Sequence, residues 1–261
     1  MTMHLGPLLT NVADMDVLDA CLATPMFDTL KIVAGWGVNH GWATETRAFA
    51  LACAPTTIIR TRSGDGCAGH RTLDPQHVLE EIAPWYALKR RIWIEIGNEP
   101  NNLPTALSEA EIWGWRYYLI GAIDACRRAF PKAKIIAPAM TQTRGFPSER
   151  FYSVCLDAFK RCDAVAVHAY AHKAFDDDGQ FKRAMAQAAA CGKPIWLSEV
   201  GINEPTMSGA EKGRAYAQLL REQAGRLVGA TYYHLNTKLD IDPQYHIGPA
   251  GDAALGNGLR I

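Results

Sequence analysis

Two segments of this 261-residue chain place a carboxylate at the end of an apolar run. In IWIEIGNEPNN, residues 92–102, the run leads into Asn98-Glu99-Pro100. In PIWLSEVG, residues 194–201, a second run ends in Glu199. Both read as strands. By the two-residue alternation of a strand, Glu95, Gly97 and Glu99 share one face. If that face is interior, Glu95 is buried and must be paired or hydrogen-bonded. Two carboxylates facing each other are what cleavage of a glycosidic bond requires. One is protonated and donates to the leaving oxygen, while the other is ionised and attacks the anomeric carbon. A separation of about 5–5.5 Å between them would give a covalent intermediate and retained configuration.

The elements that must position these residues alternate. Runs at 5–11, 30–34, 57–61, 91–97, 134–138, 164–169, 194–200 and 229–235 read as strands. Stretches of helical period lie between them, at 17–23, 45–53, 75–89, 109–130, 148–160, 181–190 and 209–224. Asp74, Ser108 and Ser208 are N-cap residues for three of these. Strict strand–helix alternation predicts a parallel sheet, and eight units in this length predict a single-domain (β/α)₈ TIM barrel over residues 1–261. The tail at 248–261 is Gly-rich, so the eighth helix is expected to be missing or reduced. No Gly-rich phosphate loop follows the first strand, which argues against a dinucleotide-binding sheet.

In such a barrel the site lies at the C-terminal strand ends. Asn98 and Glu99 fall there after the fourth strand, His168 and Tyr170 after the sixth, Glu199 after the seventh, and His234 and Asn236 after the eighth. Strands four and seven lie on roughly opposite sides of the ring, so Glu99 and Glu199 face each other across the mouth. The loop GWGVNHGW carries Trp36, His40 and Trp42, whose rings would form a sugar-stacking subsite. Trp113 and Trp115 sit inside a long helix and read as outer packing.

These motifs resemble those of the clan A glycoside hydrolases, among them the family 5, family 39 and family 79 enzymes. EIGNEPN, residues 95–101, is similar to the strand-four motif of that clan, which implies Glu99 as acid/base and Asn98 as a partner of the sugar 2-hydroxyl. LSEVG, residues 197–201, resembles the strand-seven motif and implies Glu199 as nucleophile. VHAY, residues 167–170, resembles a His-x-Tyr motif, implying that His168 binds substrate and that Tyr170 donates to the nucleophile. A phenol there would keep Glu199 ionised. The pattern departs from the clan in two places. Strand eight, TYYHLNTK, has no Trp, so His234, Asn236, Lys238, Trp36 or Trp42 would have to floor the sugar. Strand two has no Arg to hold the nucleophile, and Arg60 or Arg62 on strand three would serve.

The reading is therefore a retaining hydrolase of β-linked oligo- or polysaccharides working by double displacement, with no cofactor and no metal. A raised pKa is expected for Glu99, a low one for Glu199, and a bell-shaped rate profile at mildly acidic pH. A barrel that binds sugar without turnover and a transglycosylase using the same carboxylates are the alternatives. Lys+Arg and Asp+Glu each number 27, which gives no electrostatic case for nucleic acid or an anionic membrane. No apolar run reaches the roughly 18 residues that span a bilayer. The N-terminus does not read as a signal peptide, so the expected location is the cytoplasm unless a longer chain carries a leader. The seven cysteines form no Cys-x-x-Cys pair and read mainly as buried thiols. His168 and His172 do not share a helical face, and Asp176–Asp178 read as a solvated loop tip, so neither is a metal site.

Overall fold

A computed structural model describes residues 3–9, 27–34, 44–141, 148–171, 175, 179–233 and 248–259. Its eight strands are β1 (His4–Leu9), β2 (Thr29–Val33), β3 (Thr56–Arg60), β4 (Trp93–Glu95), β5 (Lys134–Ala137), β6 (Ala164–Ala171), β7 (Ile195–Ile202) and β8 (Leu227–Tyr233). Each pairs in parallel with the next, and β1 pairs with β8, so the sheet closes into a barrel. The helices among the described residues are α1 (Thr44–Cys53), α2 (Pro75–Leu88), α3 (Glu109–Ala129), α4 (Ser148–Arg161), α5 (Gln180–Ala190), α6 (Gly209–Gln223) and α7 (Gly248–Leu259). The expected helix at 17–23 lies outside the described residues.

The local signals behave as read. Asp74 accepts from the Gln76 amide with Pro75 in the first turn. Ser108 with Glu111 and Ser208 with Glu211 form capping boxes that start α3 and α6. The strands are apolar on both faces because both are covered. Leu30, Ile59, Ile94, Ile135, Val165 and Leu197 pack outward with the helices in one large core. The opposite parity fills the barrel. Ile58, Ile136, Ala166 and Trp196 form a separate interior cluster, with Trp93 edge-on to Trp196 at 5.5 Å and His4 stacked on it at 5.9 Å. This apolar plug closes the N-terminal end and leaves the C-terminal end for polar groups. Of the two helical tryptophans, Trp115 is buried against Phe151, whereas Trp113 is exposed, its indole N–H donating to Glu109.

The Gly-rich tail departs from expectation by forming a full helix, α7. Its intrinsic propensity is poor, so tertiary contacts must supply the stability. Leu255 is fully buried, and the half-turn around Asp252 is tied to the barrel by the Tyr232 hydroxyl at 2.8 Å. The backbones of α6 and α7 approach so closely that a Cβ on Gly213 would lie 2.1 Å from the Gly251 carbonyl oxygen. Small residues on both helices are thus what allows the eighth helix to dock.

Gly213→Ala is accordingly expected to destabilise the barrel by about 1–3 kcal/mol. The clash should outweigh the roughly 1 kcal/mol that alanine gains in a helix. Urea denaturation of the variant beside the wild type measures the difference, and an increase in stability would show that α7 is not docked this way.

Candidate active site

Glu99 does not reach the barrel mouth by regular strand alternation. β4 ends at Glu95, earlier than the expected 97, because Gly97 has φ +77° and Glu99 itself has φ +40°. Positive φ suits glycine but costs a glutamate energy, and such residues persist where their surroundings hold them. Here both flanks do so. On the β3 side, Thr61 Oγ1 accepts from the Gly97 amide at 2.8 Å, and the Gly66 amide donates to the Asn98 carbonyl at 2.8 Å. On the β5 side the Glu99 amide donates to the Ala139 carbonyl at 3.0 Å. Glu95 therefore points inward as expected, but Glu99 is aimed by a strained turn pinned at three points.

Glu199 is aimed by a second irregularity. Val167 pairs with Leu197 and His168 with Glu199, so β7 holds an extra residue, Ser198, against β6. The β7–β8 register shifts at the same place, between Leu197 and Val200. A bulge of this kind re-aims side chains. Ser198 and Glu199, consecutive in sequence, both point into the barrel. The Ser198 hydroxyl donates to Glu95 at 2.9 Å, and its carbonyl accepts from Thr231 at 2.5 Å and from Lys31 at 3.0 Å.

Lys31 on β2 is fully buried, with its Nζ 2.7 Å from Glu95 and 3.4 Å from Glu199. Arg60, at the end of β3, places Nη1 2.5 Å from Glu199 Oε1 and Nη2 3.7 Å from Asp65. The Tyr170 hydroxyl donates to Glu199 Oε2 at 2.5 Å. Burial alone would raise the Glu199 pKa, but His168, Lys31, Arg60 and the Tyr170 hydrogen bond overcome it and hold the carboxyl far below its usual range.

Glu99 is held from two sides. His168 Nδ1 lies 2.7 Å from its Oε1, and Asn102 Nδ2 lies 2.8 Å from its Oε2. The Cys67 thiol is 3.1 Å from the same Oε2. Burial pushes the Glu99 pKa up, but the His168 hydrogen bond and charge outweigh it, and the net direction is down. The raised value expected from sequence is thus not what this geometry produces. Burial works against the charged form of His168, yet the Glu199 and Glu99 carboxylates raise its pKa above the ordinary 6.5. The proton expected on Glu99 therefore rests toward His168.

That imidazole also measures the gap between the carboxylates. Its Nδ1 lies 2.7 Å from a Glu99 oxygen and 3.7 Å from a Glu199 oxygen. The two oxygens can be no farther apart than the sum of those distances, 6.4 Å.

The site thus brings together Glu99, Glu199, His168, Tyr170 and Arg60 as sequence suggested. Asn98 is buried beside them, its amide donating to Asp65 at 3.1 Å, while its Oδ1 and the His168 Nε2 are buried with no hydrogen-bond partner among the described residues. Arg60 does contact Glu199, as its place on β3 allowed. Trp36, His40, Trp42, His234, Asn236 and Lys238 lie outside the described residues, as do His172 and Asp176–Asp178. Arg71 bonds to Glu111 and Thr105. Sequence reasoning missed Lys31, Ser198, Asp65, Cys67 and Asn102. Lys31 did carry a signal, since a charge inside an apolar strand covered on both faces must find a partner. Cys67, read among the mainly buried thiols, is exposed, and it, Cys126, Cys155, Cys162 and Cys191 form no disulfide. No group of His, Cys, Asp and Glu among the described residues has metal-binding geometry. No helix among them is long and apolar enough to cross a membrane.

Comparison with known proteins points the same way. Residues 121–230 match the family model described as the glycosyl hydrolase catalytic core. No curated protein matches the chain by sequence. An endo-1,4-β-xylanase from Caldicellulosiruptor owensensis superposes with a TM-score of 0.65 at 13% identity, over 99% of this chain and 97% of that one. An endo-β-1,4-glucanase from Xanthomonas axonopodis pv. citri, carrying three substitutions, gives 0.66 at 12% identity over 100% of both chains. A xylanase from Thermotoga petrophila in complex with xylobiose gives 0.64 at 13% identity over 98% and 94%. At such identities the neighbours speak for the fold. With the catalytic-core match over residues 121–230, they bear out the resemblance to clan A glycoside hydrolases and the reading of the chain as a glycoside hydrolase.

The buried charges generate a stability prediction. Lys31→Met should cost about 3–5 kcal/mol, because it strands Glu95 without a cation. Adding Glu95→Gln should restore a large part of that loss, since a neutral amide needs no counter-charge. Guanidinium denaturation of the single and double variants tests the pair. Equal stability of Lys31→Met and the wild type would show that Lys31 is not buried against a carboxylate.

Proposed function

We propose that the protein is a retaining glycoside hydrolase acting on a β-linked oligo- or polysaccharide, with Glu199 as nucleophile and Glu99 as acid/base. The observation that carries this is that one buried imidazole contacts both carboxylates, which brings an oxygen of each within 6.4 Å of the other. Carboxylates brought this near suit the direct attack of a retaining enzyme, whose pair stands about 5–5.5 Å apart.

In the first step the ionised Glu199 attacks the anomeric carbon, and a proton passes from Glu99 to the leaving oxygen as the glycosidic bond breaks. In the second, Glu99 takes a proton from water, and the resulting attack releases the sugar from Glu199 with configuration retained. Arg60, Lys31 and Tyr170 suit Glu199 to the first task by keeping it charged. Its direct contacts also fix its oxygens, so little reorganisation is needed at the moment of attack. Glu99 obtains its proton across the 2.7 Å hydrogen bond from His168. The buried Asn98 Oδ1 and His168 Nε2 are positioned as acceptor and partner for sugar hydroxyls. The xylan- and glucan-degrading names of the structural neighbours support a β-1,4-linked substrate.

The test is hydrolysis of β-linked aryl glycosides, xylan and β-glucan by the wild type, Glu99→Gln and Glu199→Gln, with the first-formed anomer read by NMR. Each variant is expected to lose roughly 10³-fold or more, and the product should keep the β configuration. An α product would exclude the double displacement. Full activity in either variant would remove that residue from its role, and sugar binding with no hydrolysis by any form would favour a binding barrel.

The charge network also sets a pH profile. The Glu199 carboxyl is held below 4.5 and must be ionised, so the acid limb should lie below pH 4.5. The proton needed by Glu99 is stored on His168, held above 6.5, so the basic limb should lie above pH 6.5. The optimum is therefore broader and closer to neutral than the two carboxylates alone would give. A narrow optimum at pH 4–5 in kcat/KM would show that the stored proton is not on His168.

A further inference from the structure

The two ends of the Glu99 carboxylate are treated differently. Oε1 faces the buried His168, while Oε2 faces Cys67, which is exposed, and Asn102, which is half-buried. Asn102 Nδ2 donates to Oε2 at 2.8 Å and to the Cys67 sulfur at 3.2 Å. Asn98 Nδ2 reaches the same sulfur at 3.6 Å. The sulfur thus takes amide N–H groups on its lone pairs, which directs its single proton to Glu99 Oε2. Enclosure of the sulfur among these groups, and the charges of Glu99 and Asp65, raise the thiol pKa, so the proton stays on. The segment bearing Cys67 is fixed in place. The Gly66 amide bonds to the Asn98 carbonyl, and a Cβ on Gly66 would lie 2.1 Å from the Glu99 carbonyl oxygen.

Resting on the reading of Glu99 as acid/base, we infer that Cys67 and Asn102 are positioning residues that hold its carboxylate through Oε2, leaving Oε1 to exchange the proton with His168. Two donors on one oxygen favour the ionised carboxylate. They ease release of the proton to the leaving oxygen in the first step and preserve the base for the second. Neither residue exchanges a proton with substrate, so the effect of removing them should follow how much protonation the leaving group needs.

The measurement is a ¹³C NMR titration of the Glu99 side-chain carboxyl in the full chain, its signal identified by its loss in Glu99→Gln. Cys67→Ala and Asn102→Ala should each raise the Glu99 pKa by about one pH unit, because each removes a donor to the charged form. Cys67→Ser, which keeps a donor, should bring it back toward the wild type. The kinetic counterpart compares aryl glycosides of graded leaving-group acidity. The alanine variants should lose about tenfold on a phenyl or alkyl glycoside and less than about twofold on the dinitrophenyl glycoside, which departs without a proton.

An unchanged Glu99 titration in both alanine variants would overturn the inference, as would equal losses on all leaving groups. Failure of the underlying reading is told apart by Glu99→Gln. If that variant cleaves the phenyl glycoside at the wild-type rate, Glu99 is not the proton donor, and the inference falls with it. If it shows the leaving-group dependence while the two alanine variants do not, the acid/base role stands and only the positioning role fails.

Discussion

Charge that has been taken out of water must be balanced, and the mouth of this barrel is organised around that requirement. Glu95, Glu99, Glu199 and Asp65 are all buried there. A lone buried carboxylate would neutralise itself by taking up a proton. Lys31 and Arg60 are the fixed cations among the described residues in contact with this cluster, and each touches two of its carboxylates. Two cations against four carboxylates leave a deficit of two charges. One proton held between His168 and Glu99 reduces it to one. The proton needed for chemistry is thus part of the same balance that lets the site exist inside a protein.

Satisfying these charges requires side chains where a regular strand would not place them. Alternation gives one inward residue in two, yet Ser198 and Glu199 are both needed inside, one to hold Glu95 and the other to meet Arg60 and Tyr170. The bulge in β7 supplies both. In β4 the chain leaves the strand after Glu95 and enters positive φ at Gly97 and Glu99. Each departure costs backbone hydrogen bonds or strain, and each is compensated from neighbouring elements, by Thr61 and Ala139 on one side and by Thr231 on the other. The regular lower barrel, plugged by Trp93 and Trp196, provides the rigid base against which these irregular ends are held.

What sequence could and could not show follows from this. The barrel was legible because alternation of element types is a property of the whole chain, and Glu99, Glu199, His168 and Tyr170 because strand ends locate the rim. The orientation of Glu99 was reached by an argument that does not apply to it, since the strand has ended before that residue. Lys31 was overlooked because a lone lysine in LKIV belongs to no motif, although the predicted barrel covers both faces of its strand. Its partner Glu95 had been recognised as needing one, so the two ends of the same ion pair were treated separately. Cys67 and Asn102 meet only through tertiary contact, and no spacing rule links residues so placed on two loops. The helix α7 was underestimated for the same reason, because its stability comes from the close fit against Gly213 and not from its own composition.

The balance of charge also explains why a depressed Glu99 pKa is compatible with acid catalysis in the proposed double displacement. Proton transfer to a leaving oxygen does not require that Glu99 hold the proton at rest, only that one be available at hydrogen-bond distance. Storage on His168 is favoured while Glu199 is charged, because the imidazolium lies 3.7 Å from that carboxylate. As the bond from Glu199 to the sugar forms, its charge disappears, and with it the main reason for a positive charge on His168. The proton is then driven toward Glu99 and the leaving oxygen at the moment it is needed. When the ester is later broken, the returning charge on Glu199 draws a proton back to the pair. Attack and proton transfer are coupled through a single imidazole that touches both carboxylates, which a site tuned by burial of Glu99 alone would lack.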